Sequence, residues 1–233
     1  MASIVQPGHG AEHEHSPVHH QFEDFEQQTE AYIIGMWSFL AQEIMFFGGL
    51  FLIYTLYRSR YQETWYQAHT ALNVVMGGTN TMVLLFSSFT MVLAVHAAQL
   101  KDKKKVLMYL GATIGCAFVF LIIKFFEYKE KFEHMLVPGP YFSVEHFMSD
   151  PATRGINPNA AQIFFSLYFA MTGLHALHII IGILVLGALA RHWMKDDKLV
   201  THDYVPTELV GLYWHFVDVV WIFLFPLFYL IPK

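Results

Sequence analysis

Five long apolar stretches, separated by polar segments, dominate the 233-residue chain. Each holds roughly 18 or more residues with almost no charge, enough for an α-helix to cross a hydrocarbon core about 30 Å thick. The predicted spans are 31–57, 73–98, 106–123, 160–190 and 209–232. Backbone amides must be paired inside lipid, and no stretch has the two-residue alternation of a membrane strand. The sequence therefore predicts an all-α fold, a polytopic membrane bundle of five transmembrane helices.

The composition supports this membrane prediction. Hydrophobic residues make up 55% of the chain and charged residues only 14%, against about 25% in soluble domains. The net charge of -5 and the absence of a large basic field argue against a nucleic-acid partner. The single cysteine, Cys116, lies in an apolar run and is predicted to behave as a small hydrophobe. Glycines inside the runs are predicted to mark helix contacts. Examples are Gly77, Gly78, Gly111, Gly115, Gly173, Gly182 and Gly187.

Two long polar segments are notable among those outside the predicted spans. Residues 1–30 form a polar tail without Lys or Arg, and this tail lacks the basic start and early apolar core of a signal peptide. Its clustered histidines are His9, His13, His15, His19 and His20. We expect a solvated or partner-docked tail, and metal binding by it stays open. Residues 31–233 form the membrane domain, in which the proline-containing segment 129–159 is predicted to be a long extramembrane loop.

Ionisable side chains within the spans are candidate functional residues, because each costs a few kcal/mol in lipid unless it faces the bundle interior or a partner. Glu43 lies near the middle of the first span and is followed by Phe46 and Phe47, surroundings that favour a protonated carboxyl. A proton-handling role and a buried or lipid-contacting carboxylic acid both remain open. Lys124 and Glu127 are three residues apart near the end of the third span and are predicted to form an interfacial ion pair.

Histidines within the last two spans raise the possibility of a haem or metal site. His175 and His178 share a helix face, and so do His215 and Asp218. A di-iron carboxylate site needs Glu-x-x-His pairs, and two histidines three apart on one helix cannot hold both faces of one haem. We therefore predict that all four side chains are cross-helix hydrogen-bond partners in a structural polar network, with no catalytic residue and no metal ligand.

The same segments carry a family resemblance. Residues 211–225 read GLYWHFVDVVWIFLF, and this run resembles the signature of subunit III of the haem-copper cytochrome c oxidases. The runs FFSLYFAMTGLHALHIIIG, NTMVLLFSSFT and AQEIMFFGG resemble other helices of that family, and Glu127-Tyr128 resembles its Glu-Tyr pair. The resemblance extends from about residue 31 to the C-terminus. Longer members have seven helices, so this chain resembles the shorter five-helix bacterial form.

The resemblance implies a subunit with no redox centre of its own. Haem and copper would lie in partner chains, with oxidase subunit I as the principal contact and subunit II as a second; a larger respiratory supercomplex stays open. Phospholipid is the expected bound molecule, with Arg191 and Lys195 as headgroup contacts. Glu43 and Glu127 are the expected proton-support or lipid-associated residues. The subunit would stabilise the catalytic chain, bind lipid and support proton uptake.

The remaining expectations concern the orientation of the chain in the membrane and its alternative functions. Lys and Arg near the span ends are almost equally divided between the two sides, but the basic turn 101–105 favours a cytoplasmic N-terminus. The resemblance implies the same orientation, with the C-terminus periplasmic, in a bacterial plasma membrane. A chain of a quinol oxidase or nitric oxide reductase complex is one alternative. An independent membrane redox enzyme with histidine ligands is another, from a different class.

Overall fold

The computed structural model describes residues 22, 24–139, 142, 157–201 and 203–231. The described helices are α1 Phe25–Arg60, α2 Gln62–Ala68, α3 Val74–Gln99, α4 Lys103–Glu133, α5 Pro158–Met194, α6 Lys198–Thr201 and α7 Val205–Tyr229, with a short 3₁₀ turn at His69–Ala71. Five of them, α1, α3, α4, α5 and α7, are long and apolar enough to cross a membrane. The predicted five-helix all-α bundle is confirmed.

Short polar side chains cap the N-termini of several long helices. They accept hydrogen bonds from backbone amides that would otherwise be unpaired. Asp24 accepts from the amide of Gln27 at 2.7 Å before α1. Asn73 does the same before α3, and Asp102 accepts from the amide of Lys105 before α4. The Lys105 side chain and amide also lower the pKa of Asp102, which lies in the turn between two spans. These caps fix where three of the five spans start.

Three helices end at a residue with a left-handed backbone that is not glycine. Lys101, Met135 and Asp196 have φ angles of 56°, 51° and 54° after α3, α4 and α5. In each case the next amide reaches back to a carbonyl in the last helical turn, as Asp102 does to Ala97 at 3.0 Å. This arrangement satisfies carbonyl groups that would otherwise be unpaired at the helix end. It offsets a backbone cost of roughly 1 kcal/mol or more per residue.

Several element boundaries differ from the predicted ones. α1 begins at Phe25, inside the predicted tail, and α4 continues to Glu133, so the first residues of the predicted loop 129–159 are helical. Charged residues continue both helices because α-helical hydrogen bonding does not stop at the edge of the apolar run. The short helices α2 and α6 were not predicted. The histidine tail 1–21 and most of the long loop lie outside the described residues, and the domain boundaries stay predictions.

Four helices form the core, and α1 packs outside it. α3 packs against α4 and α7, α4 packs against α5, and α5 packs against α7, which closes a ring; α1 contacts α5 and α7 from one side. In the most apolar stretch of α1 only 17% of residues are buried, against 44% in α7. Large apolar side chains of α1 are exposed, including Met45 and Leu52. This face of α1 is not covered by any described part of the chain.

The predicted glycine contacts are present at some positions and absent at others. A Cβ on Gly77 would lie 2.8 Å from the Tyr229 ring, and one on Gly182 would lie 2.6 Å from the Trp214 ring. At these two positions only glycine admits the neighbouring helix. A Cβ on Gly111, Gly115 or Gly187 would meet nothing within 4 Å, so these three glycines are not contacts among the described helices and that part of the prediction is wrong.

Candidate functional site

Lys124 and Glu127, one turn apart on α4, form a buried ion pair inside the bundle. Their Nζ and Oε2 atoms are 2.8 Å apart, and the side chains are 3% and 0% exposed. The pairing agrees with the sequence prediction, but the pair lies inside the bundle instead of on an exposed surface. Glu127 is fully buried among the described helices, and its assignment as a proton-support or lipid-associated residue stays a prediction.

Two tyrosines from other helices complete the hydrogen bonds of this pair. Lys124 Nζ donates to the hydroxyls of Tyr168 on α5 and Tyr229 on α7, both at 3.1 Å. The Tyr229 hydroxyl donates to Glu127 Oε1 at 2.5 Å. Both carboxylate oxygens and the ammonium are therefore satisfied, as a buried ion pair requires. The cluster ties α4, α5 and α7 together.

Aromatic rings surround the ammonium group of this cluster. Lys124 Nζ lies 5.1 Å from the ring centroids of Tyr128 and Tyr168, 5.2 Å from that of Trp221 and 5.8 Å from that of Tyr229. These distances are within the range of cation–π attraction, which strengthens when water is excluded. Tyr128 itself shares a 2.6 Å hydrogen bond with Thr172 on α5. The rings thus take the place of water around the charged ammonium group.

Glu43 lies at the seam between α1 and α5, opposite His178. Glu43 Oε2 is 3.3 Å from His178 Nε2, and the two side chains are 13% and 12% exposed. The alignment falls short of a hydrogen bond, so Oε2 has no hydrogen-bond partner among the described residues. His178 Nδ1 lies 2.9 Å from the Leu174 carbonyl oxygen, and the Phe47 ring packs against the imidazole at 5.3 Å. The contact between α1 and α5 thus brings the Glu43 carboxyl and the His178 imidazole close together.

His215 and Asp218 lie on α7 where it faces α3. The Ser88 hydroxyl and His215 Nδ1 share a 2.7 Å hydrogen bond across the two helices. Asp218 is 2% exposed and close enough to Ser88 to interact with it, yet neither carboxylate oxygen makes a well-aligned hydrogen bond to a described residue. The predicted cross-helix partner is therefore present for His215 but not for Asp218.

His175 is fully buried in an aromatic setting. Its ring centroid lies 5.3 Å from that of Phe120 on α4 and 5.1 Å from that of Trp221 on α7. Neither ring nitrogen has a hydrogen-bond partner among the described residues. The sequence predicted a hydrogen-bond partner, and the structure gives ring packing instead. The spacing of His175 and His178 on one helix face does not reveal that His175 packs between rings of α4 and α7 while His178 faces α1.

The predicted headgroup contacts, Arg191 and Lys195, are both exposed at the C-terminal end of α5. Lys103 donates to Asp196 at 2.6 Å beside them, which links α4 to the same end of the bundle. Among the described residues no group of three His, Cys, Asp or Glu side chains could hold a metal ion. The histidines of the tail lie outside that description.

Sequence reasoning missed several polar partners. Tyr168 and Tyr229 were not recognised as hydrogen-bond partners of the Lys124–Glu127 pair, because a tyrosine near a span end is usually an interfacial anchor. Asn80 is fully buried, and its side-chain nitrogen and oxygen have no partner among the described residues. The neighbouring Thr81 accepts a hydrogen bond from Trp221 Nε1 at 3.1 Å. The Asn-Thr pair within the run NTMVLLFSSFT was the available signal for these contacts.

Known proteins resemble the chain over most of its length. A sequence profile described as "Cytochrome c oxidase subunit III" matches residues 155–232. The chain is 32% identical over 200 residues to cytochrome c oxidase subunit 3 of Corynebacterium diphtheriae, covering 85% of this chain and 87% of that protein. It is 28% identical over 201 residues to the protein of the same name from Thermostichus vulcanus, covering 86% and 88% of the two chains. A heme-copper oxidase subunit I+III of Aeropyrum pernix is also 28% identical over 201 residues, which are 84% of this chain and 22% of that longer protein.

Proposed function

Because the chain belongs to the cytochrome c oxidase subunit 3 family, we propose that it is the non-catalytic subunit III of a haem-copper terminal oxidase in aerobic respiration. The observation that carries this proposal is the 32% identity over 85% of the chain, with the five membrane-crossing helices that such a subunit needs. The chain is a multi-pass membrane protein. A bacterial plasma membrane, with the N-terminus cytoplasmic and the C-terminus periplasmic, is the proposed location.

Oxidase subunit I is the proposed principal partner. The fused subunit I+III relative supports it, because there the subunit III part is joined covalently to a subunit I part. Subunit II and a larger respiratory supercomplex are further proposed partners. The exposed apolar face of α1 provides surface for such contacts or for lipid. A chain of a quinol oxidase or nitric oxide reductase complex is the alternative, since other chains contact the electron donor.

We assign haem and copper to the partner subunits. The three candidate imidazoles of the last two spans have separate surroundings: His175 packs between Phe120 and Trp221, His178 faces Glu43, and His215 bonds to Ser88. These contacts do not arrange two imidazoles on opposite faces of one site, which two-histidine haem ligation requires. An independent redox enzyme with histidine ligands is therefore disfavoured by the geometry of the donors.

Proton support and lipid binding are the proposed contributions to the complex. Glu43 and His178 are the pair best placed to hold and release a proton, because they are close together and Glu43 Oε2 has no hydrogen-bond partner among the described residues. Arg191 and Lys195 are the proposed phospholipid headgroup contacts, supported by their exposure at a span end. Glu127, with both oxygens engaged, is better suited to a structural role.

Affinity purification of the tagged chain from its native membrane tests this function. We expect it to co-purify with a subunit I that contains haem and copper, and the isolated chain to bind neither haem nor copper. Optical spectra, metal analysis and mass spectrometry of the subunits provide the measurements. A stoichiometric haem band retained by the isolated chain, and lost in His175→Ala or His215→Ala, would contradict the proposal.

A further inference from the structure

A cavity of about 590 Å³ opens where α1, α2 and α7 meet, at the end of the bundle opposite Arg191 and Lys195. The last turns of α1 contribute Tyr54, Thr55, Arg58 and Ser59, and α2 contributes further polar side chains. Leu227 and Ile231 line the side formed by the C-terminal end of α7. The cavity is therefore polar along α1 and α2 and apolar along α7, and it lies where membrane spans end.

The cavity contains one cationic and one anionic side chain on different helices. Arg58 on α1 is half-buried and interacts with the Tyr54 hydroxyl, which donates to the Leu227 carbonyl oxygen. Among the described residues no carboxylate lies within ion-pair distance of Arg58. Glu63 on α2 is exposed and accepts a hydrogen bond from Gln67 at 2.7 Å. Both charges line the cavity without neutralising each other.

An apolar surface continues from the cavity along the span. Phe51 and Leu52 lie one turn below Thr55 on the same face of α1, and the rings of Phe51 and Phe223 are in edge contact at 6.3 Å. Leu52 is 60% exposed. A turn further along, a Cβ on Gly48 would meet nothing within 4 Å. This surface has room for acyl chains directly below the charged cavity.

We propose that this cavity binds the headgroup of a zwitterionic aminophospholipid, with its phosphate on Arg58, its ammonium on Glu63 and its acyl chains along the α1–α7 seam. Guanidinium is the side chain best matched to phosphate oxygens, and a carboxylate pairs with an ammonium. A purely anionic headgroup would leave Glu63 opposed to a like charge. The proposal depends on the membrane location of the chain and not on its role in an oxidase.

Photocrosslinking of the intact complex tests the site. The purified complex is placed in nanodiscs of phosphatidylethanolamine and phosphatidylglycerol with a trace of either lipid carrying a diazirine near the glycerol. Peptide mapping should locate the phosphatidylethanolamine adduct at residues 48–66. Arg58→Gln should lower this adduct about tenfold, equivalent to about 1.4 kcal/mol. Glu63→Gln should lower labelling by phosphatidylethanolamine but not by phosphatidylglycerol.

Arg60→Gln is the matched control, because Arg60 lies two residues from Arg58 on the same helix, outside the cavity and beside the Tyr61 ring. Its labelling should equal that of the wild type. Equal labelling in the Arg58 and Arg60 variants, equal labelling of the wild type by both lipids, or a cross-link to another subunit in place of lipid would each overturn the proposal. Displacement by soluble phosphate would do the same, since it would show a site for the free ion.

Haem content and subunit ratio are measured on the same samples. Absence of the phosphatidylethanolamine adduct from a fully assembled wild-type complex would then refute this inference alone. Loss of assembly in the wild type would refute the proposed function. Glu63 is exposed, so Glu63→Gln keeps the test valid even where Arg58→Gln fails to fold.

Discussion

At the scale of single residues, the buried Lys124–Glu127 pair is costly to form. Taking two charges out of water costs several kcal/mol per ion, and only good geometry with further hydrogen bonds offsets that cost. Tyr168 and Tyr229 provide those hydrogen bonds, and the surrounding rings provide cation–π attraction. The two side chains therefore act as one unit. Removing both should change stability differently from removing either one.

Removing one member of the pair should be worse than removing both. Lys124→Met or Glu127→Leu leaves an uncompensated buried charge, and we expect a loss of roughly 3 to 5 kcal/mol in stability. The double variant should recover much of that loss. Thermal inactivation and assembly yield of the complex are the measurements. Lys129→Met is the control, because its pair with Glu133 at 3.8 Å on the same helix is exposed and should matter little. Equal losses in the single and double variants would contradict this prediction.

Glu43→Gln should leave the initial rate of oxygen reduction nearly intact and shorten the lifetime of the enzyme during continuous turnover. The physical reason is that reactive oxygen intermediates persist longer at the catalytic site of the partner subunit when protons are supplied more slowly. Oxygen uptake over many turnovers, normalised to haem, measures this. Glu30→Gln, at an exposed position near the start of α1, should behave as the wild type. An immediate collapse in rate would indicate a catalytic role, and an unchanged lifetime would count against proton support.

The sequence predicted which residues of the site are unusual better than it predicted their partners. Charges at positions 43, 124, 127 and 218 stand out because each is costly in lipid. Their neighbours depend on helix packing, which spacing along one helix does not contain. KFFEYKEKF reads as the charged end of a span, and only the turn of α4 towards α5 and α7 shows that Lys124 and Glu127 face inward.

At the scale of elements, tryptophan side chains join the core helices. Trp214 Nε1 donates to Ser87 at 3.0 Å and Trp193 Nε1 donates to Thr207 at 3.2 Å, each between different helices. Gly182 lets the Trp214 ring approach α5, so the glycine and the hydrogen bond depend on each other. The sequence identified small residues as contacts in general, but it could not say which glycine faces a ring and which faces outward.

Gly182→Ala should destabilise the bundle, because the new Cβ would lie 2.6 Å from the Trp214 ring and force it away from Ser87. Overpacking of this kind costs roughly 1 to 3 kcal/mol. Gly187→Ala lies on the same helix with nothing within 4 Å and should cost little within this chain. Thermal stability of the detergent-purified complex compares the two variants. A Gly182→Ala complex as stable as the Gly187→Ala complex would show that the ring can move without cost.

At the scale of the whole molecule, the number of spans was predictable and their arrangement was not. Five apolar stretches are visible in sequence because each must match the thickness of the bilayer. The closed ring of α3, α4, α5 and α7, with α1 outside, depends on which faces are complementary. The low burial of α1 could not be predicted, since in lipid an apolar side chain does not show whether it faces a helix or the membrane.

The arrangement of α1, α4 and α7 as parallel spans leads to the last prediction, on orientation. The turn that joins α3 to α4 carries Lys101 and Lys103–Lys105, and such basic turns stay on the cytoplasmic side. On the opposite side, Lys131 is buried and contributes little to an exposed positive surface. In a Cys116→Ser background, Lys104→Cys should react with a membrane-impermeant maleimide only after the membrane is opened, whereas Arg60→Cys should react in intact spheroplasts. Both positions are exposed, so labelling after solubilisation provides the control. The reverse pattern would place the N-terminus outside and contradict the proposed orientation.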